Sequence, residues 1–206
     1  MSVRYRPLPA SFFDRRAETV ARELLGCFLV SDSAEGRCAG CIVETEAYPG
    51  PHDPASHAAR SVGRTARNDP MFGPPGTVYI HLNYGVHWCL NAVVGREDHP
   101  AAVLIRAVEP VEGLELMRLR RPGRRDRELT NGPGKLTKAM GIGPALQRLR
   151  LTAGPPLFIA LGEAVPAVAV VRAQRVGISK GAEAEWRFYD RRSPWVSRRD
   201  KRVDGA

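Results

Sequence analysis

The chain of 206 residues, 43% of them apolar, is long enough for one well-cored domain. Glycine (20) and proline (17) together stay well below the quarter that marks a disordered or collagen-like polypeptide. The net charge is +9, and arginine supplies all but four of the 31 cations, which suits a polyanionic partner; a genome-wide arginine bias would leave the same trace.

From Leu8 the pattern predicts a helix. Ser11 or Asp14 can cap it, Ala17, Val20, Ala21 and Leu24 recur at helical spacing, and Gly26 is a natural stop. Cys27–Val30 and Cys38–Tyr48 read as strands around a turn of residues 31–36. Residues 49–76, rich in Pro, Gly, His, Asn and Arg, form a long loop of the kind that is usually functional or mobile. Thr77–Leu82 and His87–Val94 are predicted strands of a hairpin turning at Asn83, Tyr84 and Gly85.

Ala101–Val108 is a further strand and Pro110–Leu119 an amphipathic helix. Arg118–Arg127 packs six arginines and one acid and reads as a solvated loop. Lys135–Met140 is a short helix, and Pro156–Leu161 and Val165–Arg172 are strands. The tail from Glu185 carries Trp186, Phe188, Tyr189 and Trp195, so it is expected to pack down. No domain boundary is visible, and residues 1–206 read as one domain with a basic, partly extended tail from about residue 198. No apolar run nears the roughly 18 residues that span a bilayer, and no signal-peptide pattern opens the chain. A cytoplasmic, nucleoid-associated protein is expected, or a nuclear one in a eukaryote. Cys38 and Cys41 lack the second pair that a zinc site of this type needs.

Two carboxylates in one strand are unusual. With a period of two, Glu44, Glu46 and Tyr48 share a face, and a carboxylate there is either a satisfied structural ion or a general acid or base. Tyr79, His81 and Asn83 alternate with Val78, Ile80 and Leu82, and His87, Cys89 and Asn91 alternate with Trp88, Leu90 and Ala92. One hairpin face must therefore line something polar. Tyr84, at the tip, has none of its own chain to pack on and can act as a wedge between bases. Two rival readings stay open: a metal-dependent hydrolase using Glu46, His52, Asp53 and His57, and a non-catalytic nucleic-acid-binding module.

The segments Ile42–Gly50, Ala55–His57, Gly63–Asn68, Tyr84–Gly85, Cys89–Asn91, Ala102–Pro110, Gly132–Leu136, Arg175–Gly177, Arg187–Tyr189 and Ser193–Ser197 together resemble the alkyladenine (3-methyladenine) DNA glycosylase family. The likeness runs from Leu8 to Ser197. It implies a mixed α+β domain around a curved, largely antiparallel sheet with a protruding, DNA-inserting hairpin. It further implies a monomeric, monofunctional enzyme of base-excision repair, free of metal and organic cofactor, with no membrane partner. Such an enzyme flips alkylated or deaminated purines out of double-stranded DNA and hydrolyses the glycosidic bond, leaving an abasic site. By the same resemblance Glu46 is the general base and Arg106 holds the attacking water, with the Val176 carbonyl as a third contact. Tyr48, His57 and Asn91 form the base pocket, Tyr84 fills the vacated stack, and Arg64, Thr65 and Lys135 contact phosphates. His81 stands where the family usually has a second stacking tyrosine. Since histidine titrates near neutrality, His81 is expected to make the preference between cationic and neutral lesions depend on pH.

Overall fold

The computed structural model describes residues 4–204. Its strands are β1 (Phe28–Ser33), β2 (Gly36–Tyr48), β3 (Val78–Asn83), β4 (His87–Val94), β5 (Ala101–Glu112), β6 (Leu157–Ala160), β7 (Val170–Ala173) and β8 (Arg187–Asp190). The helices are short: α1 (Ala10–Phe13), α2 (Ala17–Glu23), α3 (Leu114–Arg120), α4 (Asp126–Leu129), α5 (Pro133–Met140) and α6 (Lys201–Asp204). Every strand pair is antiparallel, in the order β3-β4-β5-β2-β1-β6, and β8 joins β2 while β7 joins β8. The sheet curls into a half-barrel within a single α+β domain. No helix among the described residues is long and apolar enough to cross a membrane.

β2 organises this sheet. Its first half pairs with β1 and Glu44–Glu46 pair with β8, while β5 runs along the other edge from Ala39 to Tyr48. Strand alternation then sorts the side chains. Val78, Ile80, Leu90, Ala92, Val103 and Ile105 enter the core with Val20 and Leu24 of the α2 region and with Leu136 and Met140 of α5. Each such buried aliphatic contributes about 1.5–3 kcal/mol, so the register of the sheet is fixed by this face. The opposite face carries smaller apolar clusters and also the polar residues of the site.

Directly paired residues of an antiparallel sheet project to the same side. One such row crosses five strands: Tyr79, Asn91, Leu104, Glu46 and Arg187 are successive partners. The β2–β5 ladder is irregular around Glu44, where the pairing skips Val43 and Arg106. Bulges of this kind re-aim side chains, and here the re-aimed one is Arg106.

Several expectations need correction. The first helix is split by residues 14–16, and neither Ser11 nor Asp14 caps it: the residues preceding α1 and α2 are Pro9 and Arg16. The first hairpin is tighter than expected, because Ser33 pairs with Gly36. β5 continues through Pro110, tolerated where the ladder slips, and the helix begins only at Leu114 after left-handed Gly113. Residues 167–169 form a 3-10 turn before β7. The arginine-rich run is a solvated loop only at residues 122–125, between α3 and α4. Arg118 pairs with Asp126 and Glu115, Arg120 with Glu35, and Arg121 donates to the Glu128 and Leu129 carbonyls. The tail does pack down, with Phe188 and Tyr189 buried.

At Gly26, where α2 hands over to β1, φ is +90° and a Cβ would lie 1.9 Å from the Glu163 carbonyl oxygen. Both the left-handed backbone and the contact require glycine. Gly26→Ala is expected to destabilise the fold by at least about 2 kcal/mol, read as a lowered midpoint in urea unfolding with an unchanged slope.

Candidate active site

The polar face of the sheet floors a cavity of about 230 Å³. That is below the range of pockets for drug-sized ligands and suits one flat ring system. Glu46, Tyr48, His57, His81, Asn91 and Arg106 all line it.

Glu46 has no exposed surface. Its Oε1 accepts the Val176 amide N–H at 2.7 Å and lies 3.3 Å from Arg106 Nη1, and its Oε2 accepts the Tyr48 hydroxyl at 3.0 Å. A carboxylate offers about four acceptor positions, so one remains on Oε2. Val176 therefore meets Glu46 through its amide, whereas the resemblance implied a role for its carbonyl. Burial first, and the Glu46 charge second, raise the Tyr48 pKa well above its ordinary value, which keeps the phenol a donor.

Glu44, also without exposed surface, accepts four hydrogen bonds. Its Oε1 accepts Arg106 Nε at 3.0 Å, Arg187 Nη1 at 3.1 Å and Ser197 Oγ at 3.0 Å, and its Oε2 accepts the Ser197 amide at 2.6 Å. Three of these four bonds converge on Oε1, and Glu44 is not among the residues lining the cavity. The two carboxylates of one strand face are thereby distinguished by their partners. Burial alone would lower the pKa of Arg106, but Glu46 and Glu44 outweigh it and raise it.

The aromatic wall is held from behind. Arg175, buried with Asp53 in a two-pronged ion pair at 2.5 and 2.8 Å, has its guanidinium 4.6 Å from the Tyr48 ring and 4.9 Å from the Trp186 ring. The long loop is ordered by its own bonds: Asn68 Nδ2 donates to the His57 and Gly63 carbonyls at 2.8 and 2.7 Å. His57 Nδ1 lies 2.8 Å from the Tyr79 hydroxyl, and its ring meets His81 edge-on at 4.3 Å.

Asn91 Nδ2 donates to the Tyr79 carbonyl at 3.1 Å and lies 3.2 Å from His81 Nδ1. A carbonyl can only accept, so the nitrogen end of the amide faces this way, and His81 Nδ1 must accept as well. His81 is the tautomer protonated at Nε2. Burial, then His57 and Arg67, push its pKa down to about 3, and His57 is lowered too by burial and Arg67. The expected titration of His81 near neutrality is thus overturned: removing the ring from water penalises its charged form. Cys89 also lines the cavity, and burial pushes its thiol up to about 11.

Tyr84 stands at the hairpin tip, 80% exposed, with Val86 (69%) and Leu82 (37%) beside it. Tyr84 and Gly85 have φ of 50° and 71°, the left-handed pair of a type I′ turn. Of the expected phosphate contacts, exposed Arg64 pairs with Asp69 and Asp98, Thr65 caps a turn with Asn68, and Lys135 Nζ donates to Asn131 at 2.9 Å. The metal-hydrolase grouping is dispersed. Asp53 is taken by Arg175, His52 lies edge-on to Trp186, and no group of three or more metal-ligating side chains forms among the described residues.

Sequence reasoning left the roles of Tyr79, Arg175, Arg187 and Ser197 unassigned and weighed Asp53 only as a metal ligand. Arg175 and Asp53 are separated by 122 positions, and only a pairing of lone buried charges in two polar segments could have suggested it.

The site thus joins a buried carboxylate and an aromatic-walled cavity on a basic chain with an exposed aromatic tip. The chain matches the methylpurine-DNA glycosylase family over residues 11–194. It is 49% identical over 200 residues to the protein named "Putative 3-methyladenine DNA glycosylase" in Salinibacter ruber, covering 93% of this chain and 96% of that one. Identically named proteins of Carboxydothermus hydrogenoformans (43%, covering 93% and 99%) and Methanocella arvoryzae (47%, covering 93% and 96%) are similar at comparable length. The chain belongs to the methylpurine-DNA glycosylase family and is a DNA-repair glycosylase.

Removing the Glu44 charge leaves Arg187 without a carboxylate partner among the described residues and Arg106 with Glu46 alone, in a dry interior. Glu44→Gln is expected to cost about 3 kcal/mol or more of stability, seen as a lower chemical-denaturation midpoint. An unchanged midpoint would show that the guanidiniums find other partners.

Proposed function

We propose that the enzyme, acting as a monomer on double-stranded DNA, receives a damaged purine flipped from the duplex and hydrolyses its glycosidic bond. The observation that carries this reading is the single open acceptor position on buried Glu46, placed in a cavity sized for one base. A water bound there gives its proton to Glu46 while its oxygen bonds to C1′ of the sugar. The C1′–N bond breaks, and its electron pair leaves with the base. The sugar passes through an oxocarbenium-like state, whose positive charge the same carboxylate stabilises. An abasic site remains.

Tyr48, stacked on its far side by Arg175, offers its near face to the base. An alkylated purine is cationic and gains from an electron-rich ring, and both lesions and mismatched bases flip at lower cost than intact pairs. Asn91 and His81 present an amide oxygen and an Nε2–H, an acceptor and a donor that can read a base edge. Tyr84 on its apolar tip fills the stack left by the flipped nucleotide.

Glu46→Gln keeps shape and removes the base. Single-turnover excision of an alkylated purine is expected to fall about 10²–10⁴-fold while lesion-duplex binding persists, as measured by alkaline cleavage at abasic sites and by anisotropy. Near-normal turnover would place the general base elsewhere. With its pKa lowered to about 3, His81 stays neutral across the working range. The ratio of 7-methylguanine to hypoxanthine excision is therefore expected to be insensitive to His81 between about pH 5 and 8. The check is the same pH profile of that ratio in the natural protein and in His81→Tyr.

A further inference from the structure

A second depression, of about 630 Å³, begins where the base cavity ends: the segment Val176–Ile178 lines both. Its other wall is the C-terminal tail, with Arg198, Arg199, Lys201 and Arg202 exposed along it. One acid, Asp200, lies among them and pairs with Arg202. Arg198 and Lys201 make no ion pair among the described residues.

We propose that this groove holds the phosphodiester backbone on one side of the flipped nucleotide, so that the tail grips one flank of the lesion-bearing duplex. The proposal rests on the base-excision reading above. A nucleotide seated in the cavity has its sugar at the mouth, and its backbone must leave across residues 176–178. There it meets a channel whose charge is complementary to its own.

The cations are also held in register with the cavity. The Arg198 carbonyl accepts Arg187 Nη1 at 2.7 Å, Ser197 closes on Glu44, and the Asp200 amide donates to the Tyr189 hydroxyl at 3.1 Å. Arg187 in turn donates to the Gln174 carbonyl at 2.7 Å, next to the shared segment. In the denser arginine run, Arg118, Arg120 and Arg121 are spent on acids and carbonyls of the fold, and Arg64 is paired with two aspartates. Beside the base cavity, Arg198 and Lys201 keep phosphate-binding capacity that the fold leaves unused.

The test measures binding of Arg198→Ala/Lys201→Ala to three duplexes with one lesion: a central one, and two trimmed close to the lesion on one side or the other. On the central duplex the double variant is expected to bind roughly tenfold more weakly than the natural protein, with a salt slope shallower by about two. Trimming one particular flank should cost the natural protein the same factor and the variant almost nothing, whereas trimming the other should weaken both alike. Arg198→Lys/Lys201→Arg should restore affinity. Equal sensitivity of both proteins to both trims overturns the proposal. So does an equal loss in Arg4→Ala/Arg124→Ala, which removes two exposed cations that line neither cavity. The readout is binding, so it stands apart from base release by the natural protein, which tests the reading beneath it.

Discussion

Everything in the site is arranged around one guanidinium held between two buried carboxylates. Arg106 reaches Glu44 through Nε and Glu46 through Nη1, and all three side chains are withdrawn from solvent. Charges in such surroundings are tolerable only when paired and fully hydrogen-bonded. The requirement recruits the rest of the chain: β8 supplies Arg187, the tail supplies Ser197, and the 174–178 segment supplies the Val176 amide. Three stretches distant in sequence are thus bound to one strand face, and the cavity forms where they meet.

The division of labour between the two acids follows from counting donors. Glu44 accepts four hydrogen bonds away from the cavity and is a fastening; Glu46 accepts two, faces Arg106 at 3.3 Å and keeps a position on Oε2 toward the cavity. Identical side chains two residues apart acquire different chemistry because their neighbours differ, not because their strand does.

How far the sequence disclosed this depends on the range of the interactions concerned. Strand alternation is local, and it grouped Tyr79, His81 and Asn83 in one strand and Glu46 and Tyr48 in another, sets that the sheet brings to the same cavity. The motif resemblance located the family, and residues 11–194 match it. What stayed hidden depends on contacts across the chain. The pairing of Asp53 with Arg175, the internal use of Arg118–Arg121 and the suppressed titration of His81 are set by partners far away in sequence. Helix limits failed for a related reason: Pro110 sits in a strand because β2 offers it a slipped register.

The four cysteines share one condition. Burial is the largest influence on each: it pushes Cys27, Cys41 and Cys89 up to about 11 and raises Cys38 as well. Only the thiolate is a strong nucleophile, and at neutral pH a thiol of that kind is ionised in roughly one molecule in ten thousand. With Cys89 protonated in the wall of the cavity, its sulfur is a poor target for electrophiles at the place where modification would close the pocket.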